Sequence, residues 1–504
     1  MTALCAVAAC CSLAAAERIN HDGRILGPLP VITNSILFNT TNADVVVAAM
    51  QVFPRDHAWN EDISRRPALT NSDMMMNYII SSLATNRRAP RAFYEMNFVL
   101  VPDSQPHVPI AFDLPPESYP DESDPSPYPF ATNTPVETWP RDNTNTLQNW
   151  QRNDDGSDRH AIAVMPGSNI VWETWRTLYS TTGPSNWHAA CGAKWNLNTN
   201  ALRPLGWTSA DAGGLSMFGG LVRFDECERG MVEHALRLVV RTTRHEYVYP
   251  ATHRAGATPA SNTNAPAMGQ RLRLKSSFNI PTNWSTAEKA VLRALKKYGA
   301  IVADNGGFFS VSVVPDQRFS NNAFANFQQM NLTNFEVVQP TVATNGPRSP
   351  GAPIVNAGPD QAIQLGSNAT LRAFITYTNP LPLTFMWRLY SGPTNVSFSA
   401  TNQTNTTVSF TLPGTYTFLF SAENGLHTPA YDAVVVSVSP SLRMNIFRSG
   451  TNVALRWSGG SPPFRVERAT SLTLTNWNTV LTTNGTNATL PVNTNAAFYR
   501  VVTP

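Results

Sequence analysis

The chain has 504 residues, a formal net charge of +3 and only 14% charged residues. A length of this kind predicts roughly two to four domains, because a typical domain has about 100–200 residues. The charge is low and balanced, and the chain has neither the basic surface typical of a nucleic-acid-binding protein nor an acidic tail. We therefore expect no nucleic-acid partner.

The chain begins with an apolar segment, residues 1–16, which ends in three alanines before Glu17. Small residues after an apolar run are typical of a signal-peptidase site, so we predict a signal peptide over 1–16. A lipoprotein-type cleavage before Cys10 is the weaker alternative. The protein is then expected to be secreted or extracellular, with association with the cell surface left open. Without a later apolar run of about 20 residues we expect no membrane span.

Two cysteines, Cys191 and Cys227, lie beyond the predicted signal peptide. In an oxidising compartment the simplest prediction is one disulfide between them. The alternative is a pair of buried free thiols.

Residues 17–338 mix helical and strand-like patterns. Helices are predicted over 74–85 and 286–298, the second with Ser285 as N-cap and Gly299 as its stop. Strands are predicted in FVLVP, HAIAVM, IVWETW, HALRLVV, YVY and RLRLK. We therefore expect an α+β domain built on an antiparallel sheet or a β-sandwich. The Pro- and acid-rich stretch 103–145 has no period, and a loop of that length is more often functional than idle.

Composition changes near residue 340, since no lysine follows Lys297. Segment 339–352 is rich in proline and glycine and is predicted to be a linker. After it, short β-branched and aromatic runs separated by Asn, Gly and Pro predict two small all-β modules, 353–440 and 441–504.

The first module carries VNAGPDQAIQLGSNATLRAF, a strand with Trp387, and LPGTYTFLFSAENG. It resembles a PKD-like domain, which implies an immunoglobulin-like sandwich that serves as a spacer or an adhesive unit. The last segment, with VALRWSG, FRVERATSL and AFYRVV, is similar to the short C-terminal β modules of secreted bacterial proteins.

The motifs FPRDHAWNEDIS, LRPLGWTSADAGGL, HALR, YVYPATH, MGQRLRLK and ADNGG lie within residues 53–310. This region resembles a family of secreted bacterial proteins with no established activity. The resemblance implies a single N-terminal domain and supplies no mechanism.

Seven of the twelve tryptophans lie between Trp139 and Trp207. Exposed indole rings pack on the apolar faces of sugar rings, so these residues are candidates for binding a polysaccharide or a cell-surface glycan. The alternative is that most of them belong to the core. The predicted substrate-binding residues are Trp172, Trp175, Trp187, Trp195 and Trp207.

Ionisable residues on apolar strand faces and in two loops are the candidates for chemistry, because such groups are either satisfied structural residues or site residues with shifted pKa values. The predicted catalytic residues are Glu173, Asp158, Asp211, His160, His234 and His253. Motifs of zincins, redox proteins, hydrolase elbows and nucleotide binders are absent from the sequence, and we predict neither a metal nor a cofactor.

Two functions remain open. The favoured one is a glycoside hydrolase in which Glu173 and either Asp158 or Asp211 act as the carboxylate pair, with tryptophans forming the subsites. The alternative is a non-catalytic protein that binds polysaccharides or cell surfaces. A metal site formed by His160, His234 and His253 is a third and weaker hypothesis, since these ligands lack short-range spacing.

Overall fold

The computed structural model describes residues 17–503 except 116, 142–143, 182–185, 343–345, 461, 473–475 and 493–496. The predicted signal peptide, 1–16, therefore lies outside the described residues. Contacts divide the described chain into an N-terminal unit, residues 18–350 with 426–428, and a C-terminal unit, residues 351–425 with 429–503. Within the described ranges, no helix combines the length and the apolar character needed to cross a membrane.

The N-terminal unit contains short helices and many short strands. Its α-helices are α1 Thr41–Ala48, α2 Ser72–Ser82, α3 Leu147–Arg152, α4 Met217–Gly220, α5 Phe224–Arg229 and α6 Thr286–Lys297. Its strands are β1 Ile36–Leu37, β2 Pro90–Tyr94, β3 Val99–Leu100, β4 Ile110–Phe112, β5 Ala161–Met165, β6 Ile170–Trp175, β7 Leu178–Tyr179, β8 Trp187–Ala189, β9 Cys191–Asn196, β10 Leu236–Val240, β11 Arg271–Leu274, β12 Ala300–Asn305, β13 Phe309–Val313 and β14 Phe335–Val337.

These strands form three sheets, with the orders β14-β11-β12-β10-β13-β2, β1-β3-β5-β6-β9 and β4-β8-β7. The sheets are mixed, because β10 and β12, β13 and β2, β3 and β5, and β4 and β8 pair in parallel. The expectation of an antiparallel sheet is therefore wrong for this unit. The physical reason lies in its helices and long loops, which carry the chain back across the sheet and so allow parallel neighbours.

The five-stranded sheet is buried on both faces. Along β5, Ile162 and Val164 lie in the larger core, whereas Ala161 and Ala163 lie in a second core on the other face. This follows from the strand period of two. The sequence pattern predicts the same division.

Helix α6 begins at the expected residue. The Ser285 hydroxyl accepts a hydrogen bond from the Glu288 backbone, and the Glu288 carboxylate accepts one from the Ser285 backbone, which completes a capping box. The helix ends before Gly299, whose φ of +67° is in the left-handed region. The predicted helix at 74–85 is α2, shifted by two or three residues. The predicted YVY strand forms a single bridge, between Tyr247 and Met268.

The predicted disulfide is wrong, because both cysteines are free and buried. Cys191 begins β9 and donates its thiol hydrogen to the Ser209 carbonyl, 3.0 Å away, whereas Cys227 lies in the larger core on α5. Burial raises the pKa of Cys191 to about 12 and raises that of Cys227 as well. Both residues are neutral thiols that pack as small apolar side chains.

The C-terminal unit is all β. Its strands are β15 Ile354–Asn356, β16 Gln361–Gln364, β17 Ala369–Arg372, β18 Phe374–Thr376, β19 Thr384–Ser391, β20 Ser397–Phe398, β21 Asn405–Ser409, β22 Gly414–Glu423, β23 Ala430–Ser439, β24 Arg443–Ser449, β25 Asn452–Ser458, β26 Phe464–Ala469, β27 Asn478–Thr483, β28 Asn487–Pro491 and β29 Phe498–Val502. Sheets β16-β23-β22-β19 and β17-β21-β20 enclose one core around Trp387. Sheets β24-β25-β28 and β27-β26-β29 enclose a smaller one around Trp457.

Candidate functional site

A polar cavity of about 430 Å³ opens in the N-terminal unit, where loops from several strands meet. Its volume is in the range of small-molecule sites, which typically measure about 300–1,000 Å³. Its lining residues are Glu117, Tyr119, Asp158, His160, Trp175, Cys191, Thr208, Ser209, Ala210, Ala212, His253, Arg254, Ala255, Asp304 and Asn305.

Close backbone packing brings the loop around residues 208–214 to the end of β12. Gly213 donates its N–H to the Ala303 carbonyl at 2.7 Å, and a Cβ at this glycine would lie 3.0 Å from that oxygen. The next residue of β12 is Asp304, which is therefore presented to the cavity beside the loop.

Asp304 is the acidic residue of the cavity with the most perturbed environment. Its carboxylate accepts a hydrogen bond from Arg237 at 2.9 Å and one from the Asn305 backbone at 2.7 Å. Burial raises the pKa of Asp304 to about 6; the charges of Asp211 and Asp158 act in the same direction, and Arg237 opposes them. A carboxyl group with this pKa can give up and take back a proton near neutral pH.

Asp158 lies on the exposed side of the cavity, just before β5. Its carboxylate accepts a hydrogen bond from the indole N–H of Trp175 at 3.1 Å. The cavity therefore has two carboxylates in contrasting surroundings, one exposed at the rim and one against a buried arginine. In proteins, such a difference in surroundings separates the pKa values of two similar groups, so that one can act as an acid and the other as a base.

His160 is held as an imidazolium. Its Nδ1 lies 2.8 Å from the Glu137 carboxylate and its Nε2 lies 3.0 Å from the Ala210 carbonyl, so both nitrogens face acceptors. Burial alone would lower the pKa of His160, but the Glu137 carboxylate outweighs burial and the pKa is raised to about 9. The long loop delivers Glu137, because Val136 forms a bridge with Ala161 of β5.

His253 has the opposite arrangement to His160. Its Nδ1 lies 2.8 Å from the Ala212 carbonyl and donates to it, so in the neutral ring Nε2 is the acceptor. The half-buried ring lines the cavity. His253 is thus suited to accept a hydrogen bond from a ligand.

Asp211 does not line the cavity. It is buried and forms two hydrogen bonds of 2.8 Å with Arg237, a forked pair that fixes the guanidinium. Arg237 in turn reaches Asp304 and the Ser312 hydroxyl. Asp211 therefore holds Arg237 in place behind Asp304.

Glu173 is wholly buried in the core and is also absent from the cavity lining. Its two oxygens accept hydrogen bonds of 2.9–3.1 Å from the Trp195 indole, the Ser216 hydroxyl and the backbones of Met217 and Phe218. Burial raises the pKa of Glu173 to about 7 while these donors oppose the rise. Its acceptor positions are filled by Trp195 and by the start of α4.

His234 lies elsewhere, beside a small cavity shared with His21 and Glu226. Its Nε2 is 3.3 Å from the Glu226 carboxylate. His160 and His253 line the larger cavity and His234 does not, so the three histidines do not form one metal site. Among the described residues, no group of three or more His, Cys, Asp or Glu side chains could hold a metal ion.

Of the five predicted substrate-binding tryptophans, Trp175 lines the cavity. Trp172 and Trp187 are buried in the second core, and Trp195 is buried in the larger core. Trp207 is half-buried, with the Arg203 guanidinium 5.7 Å from its ring centre. The tryptophans therefore do not form a row of subsites.

The cavity and its surroundings also contain residues that are not among the predicted site residues. Asp304 lies near the end of β12, after four buried apolar residues and within the ADNGG motif, and that position could have identified it. Glu117 and Tyr119 come from the long acid-rich loop. The length of that loop was the sequence signal that it could take part in a functional site. Arg237, behind Asp304, lies inside the HALR motif on β10.

Comparison with known proteins identifies one module. Residues 357–438 match a family model that describes a PKD domain, so the chain contains a PKD-like immunoglobulin-fold domain where the sequence predicted it. No curated protein matches the chain. The resemblance of residues 53–310 to a secreted bacterial family stays a prediction.

Similar solved structures include the PKD domain of the KIAA 1837 protein, with 24% identity over 17% of this chain and 86% of that chain and a TM-score of 0.16. A three-domain I-band fragment of titin shares 14% identity over 30% of this chain and 64% of its own length, with a TM-score of 0.21. The eight N-terminal immunoglobulin domains of Down Syndrome Cell Adhesion Molecule share 13% identity over 33% and 32%, also with a TM-score of 0.21. These likenesses support no statement about function.

Proposed function

We propose that this chain is a secreted carbohydrate-active protein whose N-terminal unit hydrolyses a glycosidic bond in the polar cavity. Asp304 is the general acid and Asp158 is the second carboxylate. The observation that carries the proposal is the placement of these two residues on one cavity in contrasting surroundings.

The proposed chemistry follows from those surroundings. Asp304, with a pKa of about 6, donates a proton to the oxygen of the leaving sugar. A water molecule attacks the anomeric carbon as the glycosidic bond breaks, and the exposed Asp158 stabilises the cationic transition state and takes the proton that this water loses. The half-buried Trp175 offers a ring face to the sugar, and the Nε2 atom of His253 accepts a hydrogen bond from a hydroxyl group. This assignment takes the place of Glu173 and Asp211, which do not line the cavity.

The test is a screen of the full chain on a polysaccharide panel, with release of reducing ends as the readout. Asp304→Asn and Asp158→Asn should each lower turnover by about 100-fold or more, because each keeps the shape and removes an ionisable group. The matched control is Asp73→Asn, an exposed carboxylate on α2 with 88% of its side chain accessible. Full activity in Asp304→Asn would contradict the proposal.

The second candidate is a non-catalytic protein that binds a polysaccharide or a cell-surface glycan. Its support is the PKD-like domain at 357–438, which favours a binding role at the cell surface. Affinity gels run beside the activity screen separate the two candidates. Retention on a polysaccharide without release of reducing ends favours binding.

A further inference from the structure

Two aromatic side chains at the rim of the cavity each hold a carboxylate. The Trp175 indole donates to Asp158 at 3.1 Å, and the Tyr119 hydroxyl donates to Glu117 at 3.1 Å. The two ring centres are 6.3 Å apart with an interplanar angle of 41°. All four residues line the cavity, so its rim presents two aromatic–carboxylate pairs.

The charge on the lining is unbalanced. The Glu137 carboxylate neutralises the positive charge of His160. The Asp211 carboxylate, which forms the forked pair of hydrogen bonds with Arg237, neutralises the charge of that arginine. Glu117, Asp158 and Asp304 then face a single further cation among the described lining residues, Arg254 at the exposed rim. Negative charge is in excess even with Arg254 counted.

Carboxylates beside aromatic faces are the chemistry that recognises an ammonium group. The carboxylates pair with its charge and accept its hydrogens, and the ring faces attract the same cation by their quadrupole. A uronic acid or a sulfated sugar would instead meet like charges, which disfavour its binding. A neutral sugar would displace water from the charged carboxylates without offering them an ionic partner, so the cost of removing that water would not be offset.

We infer that the cavity selects an amino sugar with a free ammonium group, which lies between the Trp175–Asp158 and Tyr119–Glu117 pairs. This inference rests on the proposed function, since it names the class of sugar unit that the hydrolase accepts. It makes Glu117 and Tyr119 specificity residues that take no part in the bond cleavage.

The test compares three hexamers with β-1,4 linkages: one of glucosamine, one of N-acetylglucosamine and one of glucose. Binding to the full chain is measured by titration calorimetry at low salt, and cleavage is followed in parallel by chromatography. The glucosamine hexamer should bind at least about tenfold more tightly than the other two. Added salt should reduce that preference, because exposed charges are screened.

Glu117→Gln should reduce the preference for the glucosamine hexamer severalfold, since it removes the charge and keeps an acceptor for the Tyr119 hydroxyl. Its matched control is Glu228→Gln, an exposed residue of α5 outside the cavity lining, which should leave the preference unchanged. Tyr119→Phe should weaken binding less than Glu117→Gln, because the ring face remains.

The outcomes separate this inference from the proposed function. Equal or tighter binding of the acetylated or neutral hexamer, or no binding of any hexamer, overturns the ammonium inference. If a neutral hexamer is cleaved and this cleavage depends on Asp304, the proposed hydrolase activity is still supported. Preferential binding of the glucosamine hexamer without cleavage supports the ammonium site and counts against hydrolysis.

Discussion

Glu173 and Asp304 both have raised pKa values, yet only Asp304 touches the cavity. The difference lies in what surrounds each carboxylate. Four donors from the fold bind the Glu173 oxygens, whereas Asp304 lies at a strand end where a ligand can approach. An alternating strand pattern identifies an ionisable residue on an apolar face. It does not reveal whether neighbours distant in sequence already bind that residue, as the start of α4 binds Glu173.

Glu173→Gln should lower stability and leave the activity of each folded molecule unchanged. The amide nitrogen replaces an acceptor, so at least one buried donor loses its partner at a cost of roughly 1–3 kcal/mol. Scanning calorimetry should show a lower melting temperature, with Glu228→Gln as the exposed control. Loss of turnover at an unchanged melting temperature would contradict this prediction and support a catalytic role for Glu173.

At the scale of elements, the helices and strands that periodicity and capping residues indicate could be predicted well from the sequence. Ser285 and Gly299 bound α6 as expected, and β5, β6 and β11 lie within predicted strands. The cavity could not be predicted, because it is assembled from loops that approach β5, β9 and β12 from distant parts of the chain. The parallel pairing of β10 with β12 likewise depends on contacts between distant segments.

Ser285→Ala should destabilise the N-terminal unit by roughly 1–2 kcal/mol, because it removes the α6 cap and the 2.6 Å bond from its hydroxyl to the Ala323 carbonyl. Denaturant titration measures the change. Ser276→Ala, at an exposed loop position before α6, is the matched control and should be neutral. Equal stability of the two variants would show that the capping box contributes little.

At the scale of the whole molecule, the N-terminal unit extends beyond the predicted boundary at residue 338. The Thr341 hydroxyl donates to the Glu61 carboxylate at 2.6 Å, and the Arg348 guanidinium lies 3.8 Å from the Tyr249 ring centre. Residues 339–342 and 346–350 of the segment predicted as a linker therefore group with this unit.

A fragment covering 17–350 should consequently be more stable than one covering 17–338. Ending the chain at 338 leaves the buried Glu61 without its hydroxyl donor and exposes the ring of Tyr249. We expect a melting temperature several degrees higher for the longer fragment in a calorimetric comparison. Identical melting temperatures would restore a boundary near 338.

The pH profile of kcat/KM for the full chain, on the polysaccharide that the screen identifies, tests most directly whether Asp304 is the acid. Raising the pH through about 6 removes the proton that Asp304 must donate, so activity should fall on the alkaline side with a midpoint near that value. Asp73→Asn should follow the same curve. A rate that stays constant between about pH 5 and 8 would contradict Asp304 as the proton donor and the hydrolase proposed for this cavity.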